Sequence, residues 1–266
     1  MKKTFYYKNA LITYYTYGDG VPVMLLHGFG ETSFVWHKQV YNLSKTNKVI
    51  VPDLPGSGES ELPEVQSKNL SISHLANAVH AIIQNENIEQ CIMLGHSMGG
   101  YITLAFAEKY PSLLKAFGFV HSTAFADTEE KKQNRKKSIA AMESYGGNAF
   151  LKTAMPGLFA SGFKQKHANV IAELISEAKK NSTENLQQYY TAMMNRKDKT
   201  HVLKNNKLPV LFVIGTEDNA APLSDVLKQV HLPEISYIHI IKKSGHMSML
   251  EKPIILNRIL KNFVNA

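Results

Sequence analysis

The chain has 266 residues, a single cysteine and a formal net charge of +8 at pH 7. This length suits one large domain, or one domain that carries an insertion. A lone cysteine excludes an internal disulfide, and Cys91 begins an apolar run, so we expect it to be a buried core thiol. No segment has the length and apolarity of a membrane span, so we expect a soluble, cytoplasmic protein with no membrane partner.

The positive charge is carried mostly by scattered lysines. Its densest run, Lys131–Lys137, follows two glutamates in a helix-like stretch. No aromatic residue interleaves with this run, and no nucleic-acid-binding motif occurs in the chain. We interpret the run as the solvated face of a helix and expect no nucleic-acid partner.

Strand and helix patterns alternate along most of the chain. Eight β-branched, aromatic or apolar runs predict strands at Lys3–Tyr7, Ile12–Tyr17, Val21–Leu26, Val49–Val51, Cys91–Leu94, Phe117–Val120, Val210–Ile214 and Ile235–Ile241. Helical periodicity predicts helices at Ser33–Leu43, Ser73–Asn85, Met98–Tyr110, Leu223–Val230 and Pro253–Phe263. The first two strands are expected to pair antiparallel. The alternation that follows predicts a mostly parallel sheet with helices on both faces.

One stretch, residues 122–206, contains no convincing strand. Helical patterns recur there at Glu129–Tyr145, His167–Asn181 and Thr183–Met194. We interpret this stretch as a helical insertion placed over the sheet. The core domain is then formed by residues 1–121 and 207–266, and the insertion by residues 122–206.

A six-residue segment, Gly95-His96-Ser97-Met98-Gly99-Gly100, lies between a predicted buried strand and a predicted helix. A turn that sharp strains the serine backbone and brings chains close together, and glycines on both sides remove the clash. The following helix points its free N–H groups and positive dipole end at the serine oxygen. The string alone also fits a helix-capping serine, but its context favours Ser97 as a nucleophile.

With these elements and the segments described next, the chain resembles an α/β-hydrolase-fold serine hydrolase of the carboxylesterase type, from about Leu11 to Phe263. The resemblance implies a mostly parallel eight-stranded sheet flanked by helices. It also implies a helical cap inserted after the sixth strand. Serine at position 97 disfavours the epoxide hydrolases and haloalkane dehalogenases of this fold, which use aspartate there.

A serine hydroxyl needs a base to become a good nucleophile. His246, in the small-residue loop 243–248 after the last strand, is the best-placed histidine. His121 also ends a predicted strand and is the second candidate, more suited to lining a pocket or to a structural role. We therefore assign His246 as the base.

The base in turn requires a carboxylate that holds its tautomer and stabilises its charged form. Asp218 follows an apolar strand, and the order Ser97, Asp218, His246 matches that of α/β-hydrolases. The adjacent Glu217 is an alternative, as is Asp127, a position that some relatives use. The resemblance favours Asp218.

The developing oxyanion needs two N–H donors. Met98, directly after the nucleophile, supplies one by geometry, and the resemblance implies Phe29 as the other, in the glycine-flanked turn after Val21–Leu26. His27 in that turn is more suited to structural hydrogen bonds than to proton transfer. A second turn-rich loop, residues 51–60, is expected to be pinned by Asp53.

The substrate pocket is the least determined feature. We consider His121, Met142, Met155, Met193 and Met247 as its lining, although the methionines also suit a role in holding the cap together. No phosphate loop, dinucleotide fingerprint or metal-ligand spacing occurs, so we expect no cofactor and no metal.

These features together predict a cofactor-free serine hydrolase of a small carboxylic ester, acting through a Ser97–His246–Asp218 triad and an acyl-enzyme. Two other enzyme classes share such a triad. One hydrolyses a carbon–carbon bond in a dienoic or β-diketone substrate, and the other is perhydrolase- or haloperoxidase-like. A small-molecule receptor on the same fold is the non-enzyme alternative. The sequence indicates no oligomeric state.

Overall fold

The computed structural model describes all 266 residues, which form a single eight-stranded sheet of order β1-β2-β4-β3-β5-β6-β7-β8. The strands are β1 Lys2–Tyr7, β2 Ala10–Tyr17, β3 Val21–Leu26, β4 Asn47–Pro52, β5 Cys91–His96, β6 Leu114–Val120, β7 Val210–Gly215 and β8 Ser236–Ile241. Strand β2 runs antiparallel to both β1 and β4, and all other neighbours are parallel. The expected mostly parallel sheet is confirmed.

Twelve α-helices connect and cover the strands. They are α1 His37–Leu43, α2 Ile72–Asn85, α3 Met98–Lys109, α4 Glu129–Tyr145, α5 Gly147–Ala154, α6 Ser161–Lys166, α7 Ala168–Ala178, α8 Thr183–Met194, α9 Thr200–Lys204, α10 Leu223–Leu227, α11 Ser248–Glu251 and α12 Pro253–Val264. None of these helices combines the length and the apolar character needed to cross a membrane.

Capping residues fix where several helices begin. The Ser71 hydroxyl accepts a hydrogen bond from the His74 N–H at the start of α2, and the Thr128 hydroxyl accepts one from Lys131 at the start of α4. Each bond satisfies an N–H group that has no partner within the helix. Two glutamates in the first turn of α4 add a favourable interaction with the helix dipole.

The central strands separate two apolar cores, one on each face of the sheet. Met24 and Met93 point into one core, whereas their chain neighbours Leu25 and Leu94 point into the other. Successive strand residues face opposite sides, so a strand covered on both faces must be apolar throughout. Cys91 is fully buried, and burial raises the pKa of its thiol to about 12, which confirms the expected core thiol.

The stretch between β6 and β7 contains six helices, α4–α9, and no strand. Three of them, α5, α6 and α9, are absent from the sequence prediction. All three are short, and glycines and Pro156 interrupt the apolar periodicity in and between α5 and α6. The predicted helix Leu223–Val230 ends three residues early, at Leu227.

The parallel strands place the polar candidates along one edge of the sheet. Phe29 follows β3, Ser97 follows β5, His121 follows β6, Asp218 follows β7 and His246 follows β8. Carboxyl ends of neighbouring parallel strands meet at the same edge, which is where open α/β sheets bind ligands. Residues far apart in sequence are thereby brought together.

Candidate active site

Ser97 occupies a strained backbone conformation between β5 and α3. Its φ is 49° and its ψ is −113°, a region that residues with a side chain rarely adopt. Three hydrogen bonds hold it: Ser97 N–H donates to Val120 O at 3.1 Å, and Ser97 O accepts from Gly100 N–H at 2.9 Å and from the Ser122 hydroxyl at 2.7 Å. The backbone of the serine is thereby fixed at the strand edge.

Two glycines make this turn possible. A Cβ atom on Gly95 would lie 2.2 Å from backbone atoms of Gly99, and one on Gly99 would lie 2.4 Å from Leu26 O. Backbone atoms cannot move aside as the end of a flexible side chain can. Only glycine fits at either position.

His246 is buried and hydrogen bonded to Asp218, with its Nδ1 at 3.0 Å from Oδ1 and 2.9 Å from Oδ2. Because the partner is a carboxylate, Nδ1 carries the hydrogen and Nε2 is left as the basic nitrogen. Burial lowers the pKa of His246, but the Asp218 charge outweighs it and the net shift is upward.

The carboxylate of Asp218 accepts hydrogen bonds from several neighbouring groups. Its Oδ1 also accepts hydrogen bonds from Ala220 N–H and Ala221 N–H, both at 2.9 Å. Burial opposes its charge, but His246 and His121, through their charge interactions and hydrogen bonds, hold the pKa of the carboxyl well below its usual range. The carboxylate is therefore charged and fixed in place.

A second histidine shares this carboxylate. His121 Nδ1 lies 2.9 Å from Asp218 Oδ2, and its Nε2 lies 2.7 Å from the Ser248 hydroxyl. Burial lowers the pKa of His121 to about 4, so the ring is neutral, donates from Nδ1 and accepts at Nε2. A ring nitrogen of His121, a ring nitrogen of His246 and a carboxylate oxygen of Asp218 all lie within 4.8 Å of one another. Each is engaged in this hydrogen-bond network, and His121 has no free nitrogen with which to act as a base.

Neither alternative acid contacts His246. Glu217 is exposed, and its carboxylate accepts hydrogen bonds from the backbone and hydroxyl of Ser161. Asp127 is buried between two arginines, Arg135 and Arg196. Of the three carboxylates considered from sequence, only Asp218 is paired with the candidate base.

A cavity of about 120 Å³ contains the candidate nucleophile and base together. Its lining consists of Phe29, Glu31, Ser97, Tyr101, His121, Arg135, Leu158, Tyr190, Met193, Ala220, Ala221 and His246. Ser97 and His246 face this space without a hydrogen bond between their side chains. Such bonds are often long in ligand-free enzymes and tighten when substrate binds. A wider cleft of about 530 Å³ elsewhere includes neither residue.

The predicted pocket lining is corrected in part. His121 and Met193 line the cavity. Met142, Met155 and Met247 are absent from the cavity lining and pack in one of the two apolar cores. Their apolar character predicts burial, but it does not tell which face of an inserted helix lines the cavity.

Of the two predicted oxyanion donors, Met98 directly follows Ser97 in the chain and Phe29 lines the same cavity as Ser97. Met98 is the first residue of α3, so its N–H has no acceptor within the helix, and Phe29 follows β3 and lines the cavity. Neither N–H takes part in the hydrogen bonds of turns and loops. The Phe29 ring stacks on Tyr190 of α8 with 4.0 Å between centroids, so α8 packs on the loop that carries Phe29.

His96 and Glu31 are part of the candidate site, and the sequence did not predict them. His96 Nδ1 lies 3.0 Å from Glu31 Oε2, and its Nε2 lies 3.0 Å from the backbone oxygen of His246. Glu31 Oε2 also accepts from Gly28 N–H at 2.7 Å. Burial opposes the charge of Glu31, yet His96 and Gly28 lower the pKa of its carboxyl. The signal in the sequence that points to His96 is its polar side chain at the end of the otherwise apolar strand β5.

Glu251, also missed from sequence, organises the loop that carries His246. Its carboxylate accepts hydrogen bonds from Gly245 N–H, Met247 N–H and Ala160 N–H, at 3.2, 3.1 and 2.9 Å. His246 N–H donates to Leu158 O at 2.7 Å. The candidate base is thereby tied to the inserted segment that contains Leu158 and Ala160.

Comparisons with known proteins identify the fold. A family model described as alpha/beta hydrolase fold matches residues 21–145. A thermophilic esterase from Thermogutta terrifontis, solved with malate bound, superimposes with a TM-score of 0.90 at 24% identity, covering 100% of this chain and 98% of that one. At this identity the likeness establishes the architecture.

The sequence relatives differ in how much of this chain they match. A protein of Mycobacterium tuberculosis that is described as uncharacterized is 33% identical over 97 residues, which are 36% of this chain and 28% of that protein. The match therefore spans less than a third of that relative. The pimeloyl-[acyl-carrier protein] methyl ester esterase of Aeromonas hydrophila is 28% identical over 254 residues, covering 93% of this chain and 97% of that protein.

We expect Gly95→Ala to lower the free energy of unfolding by at least about 3 kcal/mol, the upper end of typical overpacking costs, because the added Cβ meets backbone. Gly162→Ala is the control. Its Cβ would meet nothing within 4 Å, and its place in α6 favours alanine by about 0.5–1 kcal/mol. Urea unfolding measures both, and equal stabilities would contradict the steric account.

We expect Glu251→Gln to reduce the free energy of unfolding by about 1–3 kcal/mol, because an amide cannot replace a carboxylate that accepts three N–H groups. The His246 amide should also exchange its hydrogen faster. Glu143→Gln, on an exposed position of α4, is the matched control. Indistinguishable unfolding and exchange in the two variants would refute the organising role of Glu251.

Proposed function

We propose that this chain, whose fold is that of the α/β-hydrolases, is a serine hydrolase that cleaves small carboxylic esters. The observation that carries the proposal is the pairing of His246 with a charged, buried Asp218 at the cavity that Ser97 lines. Nucleophile, base and orienting acid in that relation are what acyl transfer through serine requires.

Ser97 begins the reaction. Its Oγ attacks the ester carbonyl while His246 Nε2 takes the hydroxyl proton. Asp218 stabilises the imidazolium that forms, through the Nδ1 hydrogen bond. The carbonyl oxygen becomes negative and is bound by the N–H groups of Phe29 and Met98, aided by the dipole of α3.

Collapse of this intermediate breaks the ester carbon–oxygen bond. His246 gives its proton to the departing alcohol, and the acyl group stays on Ser97 Oγ. His246 then takes a proton from a water molecule, whose oxygen attacks the acyl-enzyme. The second intermediate releases the carboxylic acid and restores the proton to Ser97. No cofactor or metal is needed for these steps.

The size of the cavity supports a small substrate. Its volume of about 120 Å³ is below the roughly 300–1,000 Å³ of pockets for drug-sized ligands. The ester-cleaving relatives from Aeromonas hydrophila and Thermogutta terrifontis support an ester as the reacting group. We further propose that residues 122–206 act as a cap domain whose inner face selects the substrate.

We expect a fluorophosphonate probe to label the protein at Ser97, because the probe reacts with activated serines. Ser97→Ala should abolish labelling and lower kcat by about 10⁶-fold, as loss of a triad serine does elsewhere. Ser112→Ala, at an exposed position, is the control and should label fully. Persistent labelling of Ser97→Ala would contradict the assignment of Ser97 as the nucleophile.

We expect kcat/KM for p-nitrophenyl acetate to fall as pH decreases through the pKa of His246, because only neutral Nε2 accepts the serine proton. That pKa is raised above its ordinary value of 6.5, so the midpoint of the acid limb should lie above pH 6.5. The pKa of His121 is about 4. An acid limb centred near pH 4 would therefore assign the base role to His121 and contradict the mechanism.

A further inference from the structure

The cavity that contains Ser97 also contains a cation. Arg135, from α4, lines it together with Ser97 and His246. The Arg135 side chain is 18% exposed, so most of it is buried while part of it remains accessible. The ester chemistry described above gives no role to this charge.

The charges around Arg135 do not cancel. Asp127 is the one carboxylate it pairs with, and Asp127 also pairs with Arg196 at 2.8 Å. Arg196 further donates to Met193 O and Phe125 O. Two guanidinium groups therefore share a single buried carboxylate, which leaves a net charge of about +1 at this wall of the cavity.

Arg135 also has unused hydrogen-bond donors. A guanidinium has five N–H groups, and Asp127 accepts from Nε and Nη2 only. The guanidinium lies against the Tyr190 ring, 5.1 Å from its centroid, and Tyr190 is in turn stacked on Phe29. The group is thus held in orientation while the rest of its fork stays free of protein acceptors.

The other charged residue of the cavity does not neutralise Arg135. Glu31 is buried, and its carboxylate is engaged by Gly28 N–H and His96. It forms no ion pair with Arg135. An anion brought in by the substrate would therefore meet an unmatched, preorganised cation.

We propose that Arg135 binds a free carboxylate at the far end of the acyl group, so that the preferred substrates are monoesters of short dicarboxylic acids. This inference rests on the proposed ester hydrolysis and names its substrate class. A guanidinium fork matches a carboxylate geometrically, and the small cavity limits the chain between the two carbonyl groups. Water cleaves the ester bond as before, and the second carboxylate leaves unchanged within the dicarboxylate product.

Two esters of equal chain length test this assignment. Monomethyl glutarate carries the second carboxylate, and methyl pentanoate carries a methyl group in its place. We expect the wild type to favour monomethyl glutarate in kcat/KM by at least about tenfold. Arg135→Met should lower this ratio by about 10- to 100-fold, the size of a lost charged hydrogen bond. Lys136→Met removes the same charge from an exposed position of α4 and should leave the ratio unchanged.

Arg135→Met should remain folded, because Arg196 still pairs with Asp127, and its thermal unfolding will check this. If it does not fold, Arg135→Lys keeps the charge without the fork and should lower the ratio partially. A ratio that Arg135 substitutions leave unchanged, or a wild type that prefers methyl pentanoate, overturns the proposal.

Binding separates this proposal from the hydrolase assignment. Calorimetry with glutarate should give binding to Ser97→Ala and none to Ser97→Ala/Arg135→Met. If neither ester is hydrolysed but glutarate binds in this Arg135-dependent way, ester hydrolysis fails and the carboxylate site stands. If glutarate binds both variants equally, the Arg135 site fails, whatever the wild type hydrolyses.

Discussion

The hydrogen bonds of His96 are the constraint on which the rest of the site depends. This one imidazole contacts Glu31 and the backbone of His246, while its own chain continues into Ser97. Both ring nitrogens face acceptors inside the protein, where an unpaired polar group is costly. A single buried side chain therefore links three of the segments that the proposed mechanism uses.

A second set of bonds joins this centre to the inserted helices. Glu251 and Leu158 connect the His246 loop to the segment before α6, and Tyr190 stacks on Phe29. The loop that carries His246 is thus in direct contact with the inserted segment that helps to line the cavity. A change in the packing of the inserted helices is expected to reach His246 and Phe29 without touching Ser97.

The sequence was sufficient where local rules decide the structure. Apolar runs predict the central strands. Ser97, Asp218 and His246 follow three of the strands in that chain order, which predicts that they meet at the carboxyl edge of the sheet. The sequence was insufficient where the environment of a side chain depends on which face of its helix packs against the rest of the protein. Met142 and Met193 look alike in sequence and are both buried, yet only Met193 lines the cavity. The partners of His96 and Arg135 lie on distant segments, so no local pattern predicts them.

The account's central claim is that Ser97 carries the acyl group during turnover. The most direct measurement is acid-quenched mass spectrometry of the enzyme mixed with p-nitrophenyl acetate, followed by peptide mapping. We expect an acetyl group on the wild-type peptide that contains Ser97 and none on that peptide when Ser97 is replaced by alanine, because its hydroxyl is the proposed attacking group. Steady hydrolysis with an unmodified Ser97 peptide, or acetyl on another residue, would contradict the account.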